Sequence, residues 1–157
     1  MGFDVHPFSD DPARPLVLGG VVLDGERGLA GHSDADVIAH AVADALLGAT
    51  RLGDLGSFFP DTDLAWKNAD SCWLLEAVVR HVREAGWSVA NVDCSVVAEA
   101  PRLAPHREAM QHRLSEIVGA PVTVKPKRAE GLGALGRREG IACYAVALVD
   151  TEPRPGA

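Results

Sequence analysis

The stretch Gly31-His32-Ser33-Asp34-Ala35-Asp36-Val37-Ile38-Ala39-His40 is the one from which the rest of the chain can be read. Ser33 followed three residues later by Asp36 is an S-x-x-D capping box, which predicts a helix over about Asp34–Ala49. On that helix Asp36, His40 and Asp44 recur at i, i+4 and i+8 and share one face. Ile38, Val42, Ala45 and Leu46 fall mostly on the other side, where they can enter a core. One helix thus carries a polar stripe with metal-ligand chemistry and an apolar stripe for packing. A solvated acidic face with a stray histidine gives the same pattern, so the rest of the chain has to decide.

The 157 residues are enough for one domain with a sizeable core, and 47% hydrophobic with 24% charged residues places the chain in the soluble globular class. Aromatic residues make up only 5%, so Val, Leu, Ile and Ala must supply that core. No apolar run approaches the roughly 20 residues of a membrane span. Met1-Gly2-Phe3-Asp4 has neither the basic region nor the apolar core of a signal peptide. Cys72, Cys94 and Cys143 are odd in number and share no close spacing, so they read as reduced, buried thiols of a cytoplasmic protein. A net charge of −7 argues against a nucleic-acid partner. Yet eight of the fifteen Lys and Arg residues lie between Arg102 and Arg138, a local excess suited to an anionic small molecule.

Working outward, residues 2–8 read as a strand on which Asp4 and His6 share one face and alternate with Phe3 and Val5. Leu16–Leu23, with Gly19-Gly20 at its centre, reads as a hairpin or a pair of short strands. After the first helix, Gly53–Asp63 is a loop by its Gly, Pro and Asp content. It holds the pair Phe58-Phe59, either packing or the floor of a ligand site. A second helix is expected from Ala69 or Asp70 to about Ala85, with Leu74, Leu75, Val78, Val79 and Val82 as its apolar stripe and Gly86 as its stop. Trp87–Glu99 reads as a strand, and Pro101 and Pro105 bracket a turn before a third helix that ends near Val118. A strand starts at Pro121–Val124, Glu130–Gly140 is a glycine-rich loop, and Ile141–Val149 is a final strand. No repeat or linker interrupts this order. The expectation is one α+β domain over 1–150, with a mainly antiparallel or mixed sheet, three helices on one face and a flexible tail over 151–157.

Asp4 and His6 on a strand face, with His40 on a helix, form a set that zinc accepts, and three protein ligands leave a fourth position for substrate. Asp36 or Asp44 would then orient the His40 imidazole. His32 and Ser33 at the helix N-terminus suit a phosphate, although capping alone explains Ser33. Val124-Lys125-Pro126-Lys127-Arg128-Ala129-Glu130-Gly131-Leu132-Gly133 combines bases, a carboxylate and glycines. It fits a diphosphate with a hard cation on Glu130, or a basic surface turn.

Taken together, these blocks resemble the 2-C-methyl-D-erythritol 2,4-cyclodiphosphate synthase family of the non-mevalonate isoprenoid pathway. The resemblance runs through Gly2-Phe3-Asp4-Val5-His6, through His32-Ser33-Asp34-Ala35-Asp36 to Asp44-Ala45-Leu46-Leu47-Gly48-Ala49, and through Gly53-Asp54-Leu55-Gly56 with Phe59-Pro60-Asp61-Thr62-Asp63. It continues in Lys67 with Ala69-Asp70-Ser71, Asn91-Val92-Asp93, and Ala98-Glu99-Ala100-Pro101-Arg102-Leu103 with Pro105-His106. It ends in Glu130-Gly131-Leu132-Gly133 with Gly136-Arg137-Arg138-Glu139-Gly140.

The resemblance implies one zinc per subunit on Asp4, His6 and His40, and Mg2+ or Mn2+ on Glu130 with the substrate diphosphate. It implies that His32 and Ser33 contact phosphates, with His32 supporting the transition state. Asp54, Leu55, Gly56, Phe59, Asp61 and Asp63 would line a methylerythritol pocket. The Ala98–Ala104 segment, with Pro101, Arg102 and Leu103, would hold cytosine from a neighbouring subunit, and Lys127, Ala134 and Arg137 join the substrate-binding set. Arg137 and Glu139 would flank the threefold axis of a homotrimer, where an apolar cavity is able to hold an isoprenoid diphosphate. The implied activity is a phosphorus-oxygen lyase reaction that releases CMP from 4-diphosphocytidyl-2-C-methyl-D-erythritol 2-phosphate, in the cytoplasm and without nucleic acid or membrane. The rival readings are a non-catalytic trimer binding isoprenoid diphosphate or metal, and a zinc phosphohydrolase. Two departures stand out. Where the family usually has threonines before Glu130, this chain has Lys127-Arg128-Ala129, with Arg128 at the position that assists catalysis. And the chain begins one residue before Gly2, where the family usually has a few more strand residues, so the expectation is either a short first strand or a misassigned start codon.

Overall fold

The computed structural model describes residues 1–60 and 62–151, Leu64 by its backbone alone. Its centre is a four-stranded sheet in the order β1-β6-β4-β5, built from β1 (Gly2–Pro7), β4 (Trp87–Val97), β5 (Val122–Lys127) and β6 (Gly140–Thr151). β6 runs antiparallel to both β1 and β4, while β5 runs parallel to β4, so the sheet is mixed. The parallel pair needs a crossover, and α4 (Arg107–Val118) supplies it. α1 (Val37–Thr50), α3 (Ser71–Glu84) and α4 cover one face, as expected.

α1 is buried nearly all round, at Val37, Ile38, Ala39, Ala41, Val42, Ala43, Ala45, Leu46 and Leu47. Its small residues let it lie between the sheet and α3, which replaces the two-faced helix expected from the sequence. The approach to β1 is very close. A Cβ on Gly2 would stand 2.1 Å from the Ala41 carbonyl oxygen and 2.5 Å from the Ala45 nitrogen. Gly2, Asp4 and His6 share the strand face turned toward α1, so the missing side chain at Gly2 lets the helix settle near the strand's polar pair.

The helix starts later than the capping box predicts. Its N-cap is Asp36, whose carboxylate accepts from the Ile38 and Ala39 amides. Ser33 instead accepts from the Ala35 amide in the turn before it. A tertiary contact explains the choice. β2 (Leu16–Leu18) and β3 (Val21–Leu23) form a hairpin whose two-residue turn, Gly19-Gly20, has φ of 57° and 72°, the conformation that favours glycine at both positions. The turn's two amides donate to Asp36 at 2.8 and 2.7 Å. One fully buried carboxylate therefore caps α1 and ties the hairpin to it. Asp36 is committed to this junction and does not orient His40, and Asp44 faces the Leu55 amide at 3.5 Å.

Both glycine-bearing loops contain a single helical turn, α2 (Leu55–Phe58) and α5 (Gly133–Gly136). β4 ends at Val97, two residues short of the expected Glu99, and β5 runs on to Lys127. β6 includes Thr151, the first residue of the expected tail, which pairs with Trp87; 152–157 and Asp61 lie outside the described residues. Cys72, Cys94 and Cys143 are free and buried, as expected. The sheet face away from the helices leaves Phe3, Val5, Tyr144, Val146 and Leu148 exposed at 44–61%.

Candidate metal centre and substrate cavities

β1 presents Asp4 and His6, and the first turn of α1 presents His40. Their ligand atoms lie within 4.8 Å of one another. His40 Nδ1 is 2.9 Å and His6 Nε2 3.0 Å from the same Asp4 oxygen, and the two ring nitrogens are 3.3 Å apart. The opposite ring nitrogens show where the protons sit. His6 Nδ1 is 2.9 Å from the Ala30 carbonyl, which can only accept, so it carries the hydrogen. Ser71 gives its hydroxyl hydrogen to Asp34, leaving its oxygen to accept from His40 Nε2 at 2.8 Å. In the neutral rings, His6 Nε2 and His40 Nδ1 then turn lone pairs toward Asp4 Oδ2.

Three converging acceptors repel one another unless a cation or extra protons sit between them. Without a metal, protons fill the role. Burial alone would raise the Asp4 carboxyl, but hydrogen bonds from His40 and His6 outweigh it and hold Asp4 well below the usual range. Burial alone would lower His6, but its bond to Asp4 outweighs this and raises it. A metal satisfies the same atoms better. A tetrahedral zinc with N and O ligands at about 2.0–2.2 Å spaces them by roughly 3.3–3.6 Å, a spacing the two ring nitrogens have at 3.3 Å and the Asp4 oxygen, at 2.9 and 3.0 Å, falls a little short of. The donor set and geometry fit a zinc-class ion with one open coordination position.

The outer support of His40 differs from the expectation. Ser71 and Ser33 hold its Nε2, Ser33 at 3.1 Å, and Asp34 in turn accepts from both the hydroxyl and the amide of Ser71. Ser71 and Asp34 thus support the centre, a role that no spacing in the sequence discloses. The segment before α1 is pinned by Arg14, which donates to the carbonyls of Leu29 and Ser33. Gly31 sits against His6, where a Cβ would come 3.0 Å from the ring.

Asp4, His6 and His40 open into a cavity of about 560 Å³, lined also by His32, Ser33, Leu55, Gly56 and Phe59. His32 Nε2 is bonded to the Asp63 carbonyl at 3.0 Å. The α1 N-terminus is not an anion site, because Asp36 takes its first free amides and is itself buried. Any phosphate contact here therefore belongs to side chains. Ser33 is buried and faces His40 and Ser71. Asp54 caps α2 through the Ser57 amide, at the rim rather than in the lining. Asp61 lies outside the described residues.

A second cavity of about 540 Å³ is lined by Ala98–Ala104, Pro126, Lys127, Arg128 and Arg138. It brings together the predicted Ala98, Pro101, Arg102, Leu103, Ala104, Lys127 and Arg128. Arg138, not its neighbour Arg137, joins them. Arg137 pairs with Glu139 at 2.6 Å, and Ala134 is exposed on α5. Glu130 is exposed, with a positive φ of 52°, and lines neither cavity. Arg128 donates through Nε and Nη2 to Glu99, whose side chain is 7% exposed. That bond holds the Glu99 carboxyl below its ordinary range. The two cavities share no lining residue.

A family model described as the YgbB family matches residues 1–150. The chain belongs to the YgbB family. Among curated members, the 2-C-methyl-D-erythritol 2,4-cyclodiphosphate synthases of Bacillus cereus (strain ATCC 10987 / NRS 248) and Bacillus mycoides (strain KBAB4) are each 50% identical over 151 residues, 94% of either chain. A solved 2C-methyl-D-erythritol-2,4-cyclodiphosphate synthase superposes with a TM-score of 0.85 at 34% identity, over 95% of this chain and 97% of that one. A CDP complex of IspF from Plasmodium falciparum does so at 0.83 and 28%, over 97% and 94%. The bifunctional IspDF of Campylobacter jejuni matches at 0.90 and 41% identity, covering 96% of this chain but 41% of that longer one. The YgbB chain thus has the family fold over the matched residues, and the resemblance read from its sequence blocks is borne out.

Proposed function

We propose that this YgbB-family chain converts 4-diphosphocytidyl-2-C-methyl-D-erythritol 2-phosphate into 2-C-methyl-D-erythritol 2,4-cyclodiphosphate and CMP. An oxygen of the 2-phosphate attacks the β-phosphorus, and the bond from that phosphorus to the oxygen bridging it to the α-phosphate breaks. CMP departs with the bridging oxygen. The substrate supplies its own nucleophile, so the protein's task is to fold the substrate back on itself and to neutralise charge on the phosphoryl oxygens. The observation that carries this reading is the convergence of Asp4 Oδ2, His6 Nε2 and His40 Nδ1 at the head of a cavity.

Asp4, His6 and His40 would hold zinc, and Glu130 a Mg2+ or Mn2+ shared with the diphosphate. Bound there, the metals would supply positive charge to phosphoryl oxygens. His32 is the nearby side chain that reaches the reacting phosphates, kept in place by the Asp63 carbonyl. Leu55, Gly56 and Phe59 would enclose the methylerythritol carbons, with Asp54, Asp61 and Asp63 around them. Ala98–Ala104 would take the cytosine. Arg128 spends Nε and Nη2 on Glu99, leaving Nη1 for a phosphate beside Lys127 and Arg102.

Two separate cavities support a shared site in which one chain contributes the metal and another the nucleotide pocket. The exposed apolar sheet face of Phe3, Val5, Tyr144, Val146 and Leu148 supports a homotrimer around it, in which Arg137 and Glu139 would flank an axial cavity that would hold an isoprenoid diphosphate. No helix among the described residues is long and apolar enough to cross a membrane. Product analysis tests the reading. Equimolar CMP and cyclic diphosphate are expected. Inorganic phosphate would indicate a phosphohydrolase, and tight binding without turnover a non-catalytic binder.

A further inference from the structure

We propose that Trp73 is a positioning residue for this reaction, holding Phe59 and Trp66 in the wall of the metal-facing cavity. Trp73 sits in the first turn of α3, lines no part of that cavity and is 48% exposed, so it is not a core residue. Its ring nonetheless forms a triangle with Trp66 and Phe59, and Phe59 also meets Phe58 at 6.1 Å. Trp73 stacks on Trp66 at 5.8 Å between centroids and 28° between planes. It meets Phe59 at 6.3 Å and 59°, while Phe59 meets Trp66 edge-on at 5.1 Å and 82°. These are distances and tilts at which aromatic pairs attract. Phe59 and Trp66 both line the cavity.

The segment carrying Trp66 is otherwise held by short-range backbone bonds and by the stretch before α1. The Trp66 amide donates to the Asp63 carbonyl at 3.2 Å, and the Asn68 amide to the His32 carbonyl at 2.8 Å. The same Asp63 carbonyl takes the His32 ring at 3.0 Å. The Trp66 amide and the His32 imidazole thus share one backbone acceptor, a junction in which the Trp66 ring takes no part. Trp73 can anchor this arrangement because α3 is rigid and its own start is fixed by Asp70, which accepts from the Cys72 amide at 2.7 Å. An exposed tryptophan on a helix therefore transmits the order of that helix to the cavity wall.

The role assigned to Trp73 rests on the synthase reading for its substrate, and amide exchange reads the same contact without substrate. Trp73→Ala and Trp73→Phe are compared with the wild type as zinc-loaded full-length chains. In Trp73→Ala, peptides containing Phe59 and Trp66 should exchange about tenfold faster, and KM for the cytidylyl substrate should rise on the order of tenfold with kcat within about twofold. Trp73→Phe, which keeps a ring, should restore both. Unchanged exchange in Trp73→Ala overturns the inference, as does faster exchange with unchanged KM. A Trp73→Phe protein that is well folded but as impaired as the alanine variant also overturns it. Should the wild type make no cyclic product, the synthase reading fails, and exchange of the Phe59 and Trp66 peptides alone decides the role of Trp73.

Discussion

His40 touches both halves of the candidate centre, with Nδ1 on Asp4 and Nε2 on Ser71 and Ser33. His40→Ala should leave a folded protein with less than about a tenth of the wild-type zinc, because two remaining ligands do not make a tight site. Metal analysis beside circular dichroism checks this, and full zinc occupancy would remove His40 from the centre. Proton competition predicts a pH dependence. The raised pKa of His6 means that the metal-free pair with Asp4 stabilises the fold below the ordinary histidine value of 6.5, and that this contribution fades as pH rises through the raised value. Zinc needs the unprotonated ring, so its affinity should run the other way. It should climb about tenfold per pH unit below that raised value and level off above it, by competition titration with a chelator. Arg128 has a separate test. Loss of a contact made mainly in the transition state should lower kcat of Arg128→Ala on the order of 10²-fold. Wild-type kcat in both Arg128→Ala and Arg128→Thr, with zinc content unchanged, would make it a surface substitution. From the sequence, Arg128 could be placed in a basic loop. Its pairing with Glu99, 29 positions away, is a tertiary contact with no local signature.

Among the elements, the junction of α1 with the β2–β3 hairpin rests on Asp36. Asp36→Ala removes the helix cap and strands the Gly19 amide in a buried place and the Gly20 amide in a half-buried one. It should cost about 3 kcal/mol of unfolding free energy, against about 1 kcal/mol for a cap lost to solvent. Urea denaturation checks this, and a loss below about 1 kcal/mol would contradict the double role. The same residue shows what the sequence could and could not disclose. Ser33 and Asp36 both have N-cap chemistry, and spacing alone favours the earlier start. Only the approach of Gly19-Gly20 from upstream in the chain selects Asp36. Helices and strands with several turns of periodic apolar residues, such as α3 with Leu74, Leu75, Val78, Val79 and Val82, were legible to within a residue or two. α2 and α5 were not, because a single turn has no periodicity to display. The metal set was legible because strand alternation alone puts Asp4 and His6 on one face. Its support by Ser71 was not, since that depends on how α3 docks against the segment before α1.

For the whole molecule, the apolar sheet face is the surface that has to be explained. Phe3 and Tyr144 pack ring to ring at 4.7 Å across the β1–β6 pair, and Val5, Val146 and Leu148 extend the patch beside the Lys125–Asp93 ion pair. If copies of the chain close this face around a threefold axis, Val146→Glu should bury unpaired like charges there and yield monomers. Sedimentation should then show a protein one third of the wild-type mass, with activity lost because no neighbour supplies Ala98–Ala104. A monomeric wild type that turns over substrate would contradict the shared site. Beneath that assembly lies the claim that substrate, not water, delivers the attacking oxygen. The direct measurement is turnover in ¹⁸O-labelled water by the zinc- and magnesium-loaded protein, with both products weighed by mass spectrometry. Unlabelled CMP and unlabelled cyclic diphosphate in equal amounts are expected; ¹⁸O in an open-chain methylerythritol bisphosphate beside unlabelled CMP, or ¹⁸O in CMP or in a released phosphate, would show that water attacks and would contradict the account.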